Sequence, residues 1–251
     1  MTRPAGVLRA LGALLVAGLF ATNAAAQGPA ETIVPDRPGL GDGAHVVGAG
    51  VVQLEAGTSL ARAGGASTMT VGESLVRIGL GGSLELRLLP GSVVFAPGES
   101  GALDPAVGLK VPLRRGDEGP RFSAVLGATL PVGSDAFTSD ESTGSATLVG
   151  EFGVTNVVGV AVNVGYSFPL DDVGEGVYAL IVTPGLSIAS VDGLGIYGGY
   201  AGFYGDAGDV HMIEAGVAYA ATSNAQLDLN WGRETDSGSW FLGFGVAVRR
   251  R

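Results

Sequence analysis

The feature that most constrains this chain is a strict two-residue alternation of apolar and polar side chains, clearest in residues 225–249. Gln226, Asp228 and Asn230 alternate with Leu227, Leu229 and Trp231. After a polar turn at 233–239, Trp240, Leu242, Phe244, Val246 and Val248 alternate with Phe241, Gly243, Gly245, Ala247 and Arg249. Successive side chains of an extended strand point to opposite sides, so a period of two with one apolar face reads as a β-strand. Two such runs around a polar turn make a hairpin. A soluble sandwich alternates in the same way, so the hairpin alone leaves open whether its apolar face meets protein or lipid.

The rest of the chain repeats the pattern. Val52, Leu54, Ala56, Thr58 and Leu60 oppose Gln53, Glu55, Gly57, Ser59 and Ala61. Val76, Ile78 and Leu80 oppose Arg77 and Gly79, and a Gly81-Gly82 turn leads to Leu84, Leu86 and Leu88 opposing Glu85 and Arg87. Loops are expected at 63–67 and 89–104, and further runs follow to the end of the chain. The total is about twelve strands of about 9–11 residues, the length and even number of an outer-membrane barrel. No later segment holds an apolar run long enough for a spanning helix, so a membrane form of this chain must be a closed barrel. Pro112 and Pro184 fall inside expected strands, where bulges or strand ends must accommodate the missing ladder donor.

The first residues carry Arg3 and Arg9, an apolar stretch at 10–20 and Ala24-Ala25-Ala26, the pattern of a secretory signal peptide. The expected organisation is a signal peptide at 1–26, a periplasmic leader or lumen plug at 27–50 and an outer-membrane β-barrel at 51–251. Pro29, Pro35 and Pro38 keep the leader from forming a regular element.

Parity sorts the remaining side chains. Tyr166, Tyr178, Trp231 and Trp240 fall on the apolar face at the outer-loop ends of their strands, and Phe122, Phe152 and Tyr219 at the opposite ends. Two aromatic girdles are what two membrane interfaces select. The inward set includes Glu55, Arg77, Glu85, Arg87, Lys110, Glu151, Glu214 and Asp228, charges that either pair and fill the lumen or line a wet pore. Asp36 and Arg37 are placed to enter the same network and hold the leader as a plug. Tyr197, Phe203 and Phe241 also fall on the inner parity.

The formal charge is −10, Lys occurs once, Gly 44 times and Cys not at all. This balance argues against nucleic acid as a partner, because phosphate neutralisation needs clustered cations. The expected partners are outer-membrane lipid and lipopolysaccharide. No motif joins His45 or His211 to a nucleophile and an acid, so no catalytic residues, metal site or cofactor are expected and the chain does not read as an enzyme.

These residues resemble the outer-membrane transporter family associated with meta-pathway phenol degradation. The likeness rests on Asp36-Arg37-Pro38-Gly39, Gln53-x-Glu55-x-Gly57, Arg77-x-Gly79-Leu80, Leu84-Glu85-Leu86-Arg87, Gly108-Leu109-Lys110, Leu130-Pro131-x-Gly133-Ser134 and the end from Gln226 to Gly245. Val132 stands where the family more often has Thr. The resemblance implies an all-β, transmembrane, antiparallel up-and-down barrel in the bacterial cell outer membrane. It also implies passive uptake of small hydrophobic or aromatic solutes. The alternative is a closed structural barrel with no transport.

Overall fold

The computed structural model describes residues 32–81, 84–114, 119–170 and 176–251. The expected signal peptide, Gly82 of the glycine turn and the acidic residues Asp171, Asp172 and Glu175 lie outside the described residues. Every regular element among the described residues is a strand. The first seven segments are β1 (Val52–Ala63), β2 (Ala66–Val71), β3 (Leu75–Gly81), β4 (Leu84–Leu89), β5 (Val93–Ala96), β6 (Glu99–Ala102) and β7 (Ala106–Pro112). Eight further strands follow: β8 (Arg121–Thr129), β9 (Thr143–Gly153), β10 (Val158–Pro169), β11 (Val177–Ser187), β12 (Leu194–Tyr204), β13 (Val210–Thr222), β14 (Ala225–Glu234) and β15 (Trp240–Arg250).

The fifteen segments make one antiparallel sheet, and β15 pairs with β1 to close it. They form twelve barrel strands, because β2 with β3, β4 with β5 and β6 with β7 are each one strand with a break. The closing register runs from Val52 opposite Arg250 to Arg62 opposite Trp240. No edge remains along this seam, and this removes the unpaired backbone groups that lipid cannot satisfy.

The expected loops at 63–67 and 89–104 are corrected by this break pattern. The first is a turn at Gly64 and Gly65 between paired strands, and the second is largely the β5–β6 hairpin. The chain bends out of the ladder at Gly72 and Gly91, whose φ angles of 77° and 87° suit a residue without a Cβ. Pro112 is the last residue of β7. Pro184 sits where the β11–β12 ladder skips from Val182–Tyr200 to Gly185–Tyr197 without changing register.

The burial is inverted relative to a soluble domain. Leu60, Leu229, Leu242 and Phe244 are 44–50% exposed, whereas Gln53, Glu55, Arg77, Glu85 and Lys110 are fully buried. The exposed apolar band continues around the barrel at Leu126, Leu148, Val164 and Ile213. Tyr166 packs on Tyr178 at 4.6 Å between ring centroids, and Phe122 meets Phe152 edge-on at 5.6 Å near the other end. An aliphatic belt between aromatic rims fits hydrocarbon between two interfaces.

Candidate functional site: a charge-lined lumen holding the leader

The leader runs inside the barrel. Along much of its length lumen side chains, rather than a strand ladder, serve its backbone groups. Glu55 accepts from the amides of Asp36 and Arg37, Glu85 from that of Val47, and Glu214 from that of Leu40 at 2.9 Å. Asn163 accepts from the Asp42 amide and donates to the Asp42 carbonyl. Arg77 donates to the carbonyls of Val34 and His45, and Asn230 to that of Pro38 at 2.8 Å. The leader is thus tied to both walls.

The densest cluster lies against β1, β3, β4 and β7. Arg77 and Arg87 face each other across the β3–β4 pair, a like-charge arrangement that is unfavourable alone. Glu85 resolves it by binding both, at 2.8 Å to Arg77 and 3.2 Å to Arg87. Glu55 binds Arg77 at 3.1 Å. Asp36 then inserts from the leader and contacts Arg77, Arg87 and Lys110, the last at 2.9 Å. Burial alone would raise the Asp36 pKa, but Lys110, Arg77 and Arg87 outweigh it and hold this carboxyl well below the ordinary range. Asp42 binds Arg87 at 2.6 Å, yet its pKa is raised, first by burial and then by Asp36 nearby. The cations thus hold Asp36 ionised, whereas Asp42 is shifted toward its neutral form.

Arg37 spans the closing seam. It pairs with Glu73 at 3.6 Å and with Asp228 at 3.5 Å. Its guanidinium lies over Gly57 and Gly245, which stand directly opposite each other in the closing pair. A Cβ on either glycine would come within 2.4 Å of it. Gly79 makes similar room for the leader backbone, since a Cβ there would lie 1.9 Å from the Gly48 carbonyl oxygen.

The structure thus brings Glu55, Arg77, Glu85, Arg87 and Lys110 together around Asp36. Glu214 and Asp228 hold the leader from other strands, and Glu151 lies near Gly43, where a Cβ would stand 2.9 Å from its Oε1. Asp42 and Asn163 complete the leader's hold and are not among the site residues expected from sequence. The inward aromatics have a further use. Tyr197 covers Gly216 and Phe241 covers Gly232, each its cross-strand partner.

The leader leaves the opposite wall of the lumen open. A cavity of about 570 Å³ is lined by Arg121, Glu151, Ala161, Thr183, Gly185 and Tyr197 among others. A smaller one of about 150 Å³ lies between residues 35–43 and the same wall, and shares Ala161, Thr183 and Tyr197. The Tyr197 hydroxyl at their junction is buried and has no hydrogen-bond partner.

A family model described as "Putative MetA-pathway of phenol degradation" matches residues 35–249. An outer membrane channel from Pseudomonas putida F1 is similar in structure, with a TM-score of 0.59 and 15% identity, over 90% of this chain and 100% of that one. The NanC porin gives a TM-score of 0.58 at 9% identity, over 78% of this chain and 98% of its own. The KdgM porin gives 0.55 at 15% identity, with the same coverage. At these identities the likeness is one of fold. No curated protein matches the chain. The fold is that of the outer-membrane porins and channels, with polar groups inside and an apolar belt outside.

Proposed function

This chain belongs to the family described as "Putative MetA-pathway of phenol degradation", and from that premise we propose that it is an outer-membrane channel for passive uptake of small hydrophobic or aromatic solutes, with residues 27–50 as its plug. The observation that carries the reading is the asymmetry of the lumen. The leader is bound through Asp36 to Arg87 and Lys110 on one wall, while the β10–β12 wall presents Ala161, Thr183, Gly185 and Tyr197 to open space. Small side chains leave the passage, and an aromatic ring at its neck suits stacking on a ring-shaped solute. Selective passage needs binding weak enough to release, and a site of this composition supplies few strong contacts. Among the described residues the lumen holds no triad or acid–base pair in the arrangement that catalysis requires, and channel chemistry is the reading favoured over an enzyme.

The second reading, a closed structural barrel, is favoured by the density of ion pairs around Asp36. Liposome flux separates the two. The channel reading expects a small phenolic to enter faster than through protein-free liposomes, faster again with Tyr197→Ala, and a sugar of similar size to enter more slowly. Flux equal to that of empty liposomes for the protein and for Tyr197→Ala would favour the closed barrel.

A further inference from the structure

We propose that Arg62, Trp240 and Arg233 form a binding site on the outside of the barrel for a phosphorylated, acylated glycolipid of the outer leaflet. The inference rests on the outer-membrane reading above, but not on transport.

The three residues stand side by side on adjacent strands. Trp240 is the register partner of Arg62 on β1 and of Arg233 on β14. All three share the lipid-facing parity, because the residues two positions further along are Leu60, Leu242 and Trp231, which are 44%, 44% and 37% exposed. Two positions along a strand is about 7 Å, and two strand spacings put the arginine backbones about 10 Å apart. A pair of cations flanking an indole thus sits directly above an apolar row.

The charges are unexplained by the protein itself. Among the described residues Arg62 and Arg233 are the cations at the outer-loop ends of strands, and neither has an ion pair or hydrogen bond. By contrast, Arg37, Arg77, Arg87 and Lys110 are all paired inside the lumen. The Arg233 guanidinium turns up to the rim, where a Cβ on Gly238 would lie 3.3 Å from its Nη2. Long cationic side chains at an apolar boundary rise in this way to the polar layer. There the guanidinium forks match phosphate oxygens, the indole offers a flat face to a sugar ring and the apolar row below accepts acyl chains.

On the next strand Arg233 pairs with Ile213, and His211 lies one position further out on the same face. Its Nδ1 is hydrogen-bonded to the Tyr200 hydroxyl at 2.7 Å, which in turn meets the Tyr204 hydroxyl at 3.0 Å. A Cβ on Gly202, the register partner of His211, would lie 2.5 Å from the Tyr204 hydroxyl, so the glycine is what lets these rings close over the strand. The result is a hydrogen-bonded polar edge at the rim, outward of Ile213.

The test uses the full barrel refolded in detergent, titrated with bisphosphorylated lipid A, dephosphorylated lipid A or phosphatidylglycerol in mixed micelles. Affinity is read from tryptophan emission and from the shift in unfolding temperature. The bisphosphorylated form should bind tightest. Replacing both arginines, R62Q with R233Q, should weaken it about thirty-fold, on the order of fivefold per arginine. Arg250→Gln, on the same face of β15 at its other end, should leave binding unchanged. Heat-modifiable gel migration reports folding, and if the double variant does not fold, each single variant should show the smaller loss. Unchanged affinity in the arginine variants, equal loss in Arg250→Gln, or equal binding of either other lipid would overturn the proposal. Conductance should be the same in R62Q/R233Q as in the parent, so a failure of the channel reading and a failure of this one give different results.

Discussion

The guanidinium of Arg37 lies across Gly57, where a Cβ would stand 2.4 Å from its Nη2. The leader and the first strand are thereby fitted to each other at a position where any side chain would have to displace the guanidinium. Gly57→Val should expel Arg37 while leaving the closing strand pair, whose backbone bonds do not depend on it. The chain has no cysteine, so Leu40→Cys supplies a reporter. Its labelling by a maleimide should be at least about tenfold faster in the Gly57→Val background, and an unchanged rate would contradict this account of the glycine.

Asp36→Asn removes the one leader carboxylate that contacts Arg77, Arg87 and Lys110 together. Removing one partner of a buried charge cluster leaves the others uncompensated, and costs about 3–5 kcal/mol. The cost should fall on leader docking rather than on the barrel. Labelling at Leu40→Cys should accelerate, while heat-modifiable migration should persist.

Much of this arrangement was legible in the sequence, and the reason is physical. Alternation fixes which residues share a face, so Glu55, Arg77, Glu85, Arg87 and Lys110 could be placed inside and Trp231 and Trp240 outside. The segments β2, β5 and β6 were not legible, because Ala66–Val71 and Glu99–Ala102 lack a sustained apolar face, Val93–Ala96 is too short to show alternation, and all three lie beyond breaks at Gly72, Gly91 and 103–105. The contact of Tyr200 with His211 was also out of reach. It depends on the register between β12 and β13 and on Gly202 between two tyrosines, and parity alone specifies neither.

An outer-loop latch should respond to acid. Asp104 accepts from the Ser139 amide, the Gly133 amide and the Ser139 hydroxyl. The Ser139 amide is the largest cause, and together these donors hold its pKa at about 2 against an ordinary 3.8. A carboxyl depressed in the folded loop contributes fully above its ordinary pKa, and the contribution is lost as pH falls toward the folded value. Amide exchange at Gly133 and Ser139 should therefore stay protected at neutral pH and lose protection between about pH 4 and pH 2 relative to other loop amides. Asp104→Asn should abolish that pH dependence, and a protected loop at pH 2 would count against the latch.

The lipid-facing assignment of the terminal hairpin has its own test. Phe244 is 50% exposed near the middle of β15. If this face meets hydrocarbon, Phe244→Arg should destabilise the folded barrel in vesicles by about 2–4 kcal/mol, the cost of a cation near the midplane. A soluble protein would show little change at so exposed a site, because both folded and unfolded states would present the residue to water.

The central claim is that the leader closes a lumen that would otherwise conduct. Single-channel recording of the purified barrel with and without residues 27–50 tests it most directly. The account predicts small, infrequent conductance steps with the leader present and larger, sustained steps once it is removed, with Asp36→Asn between the two. Identical traces from the intact and leader-deleted barrels, both verified as folded, would contradict it.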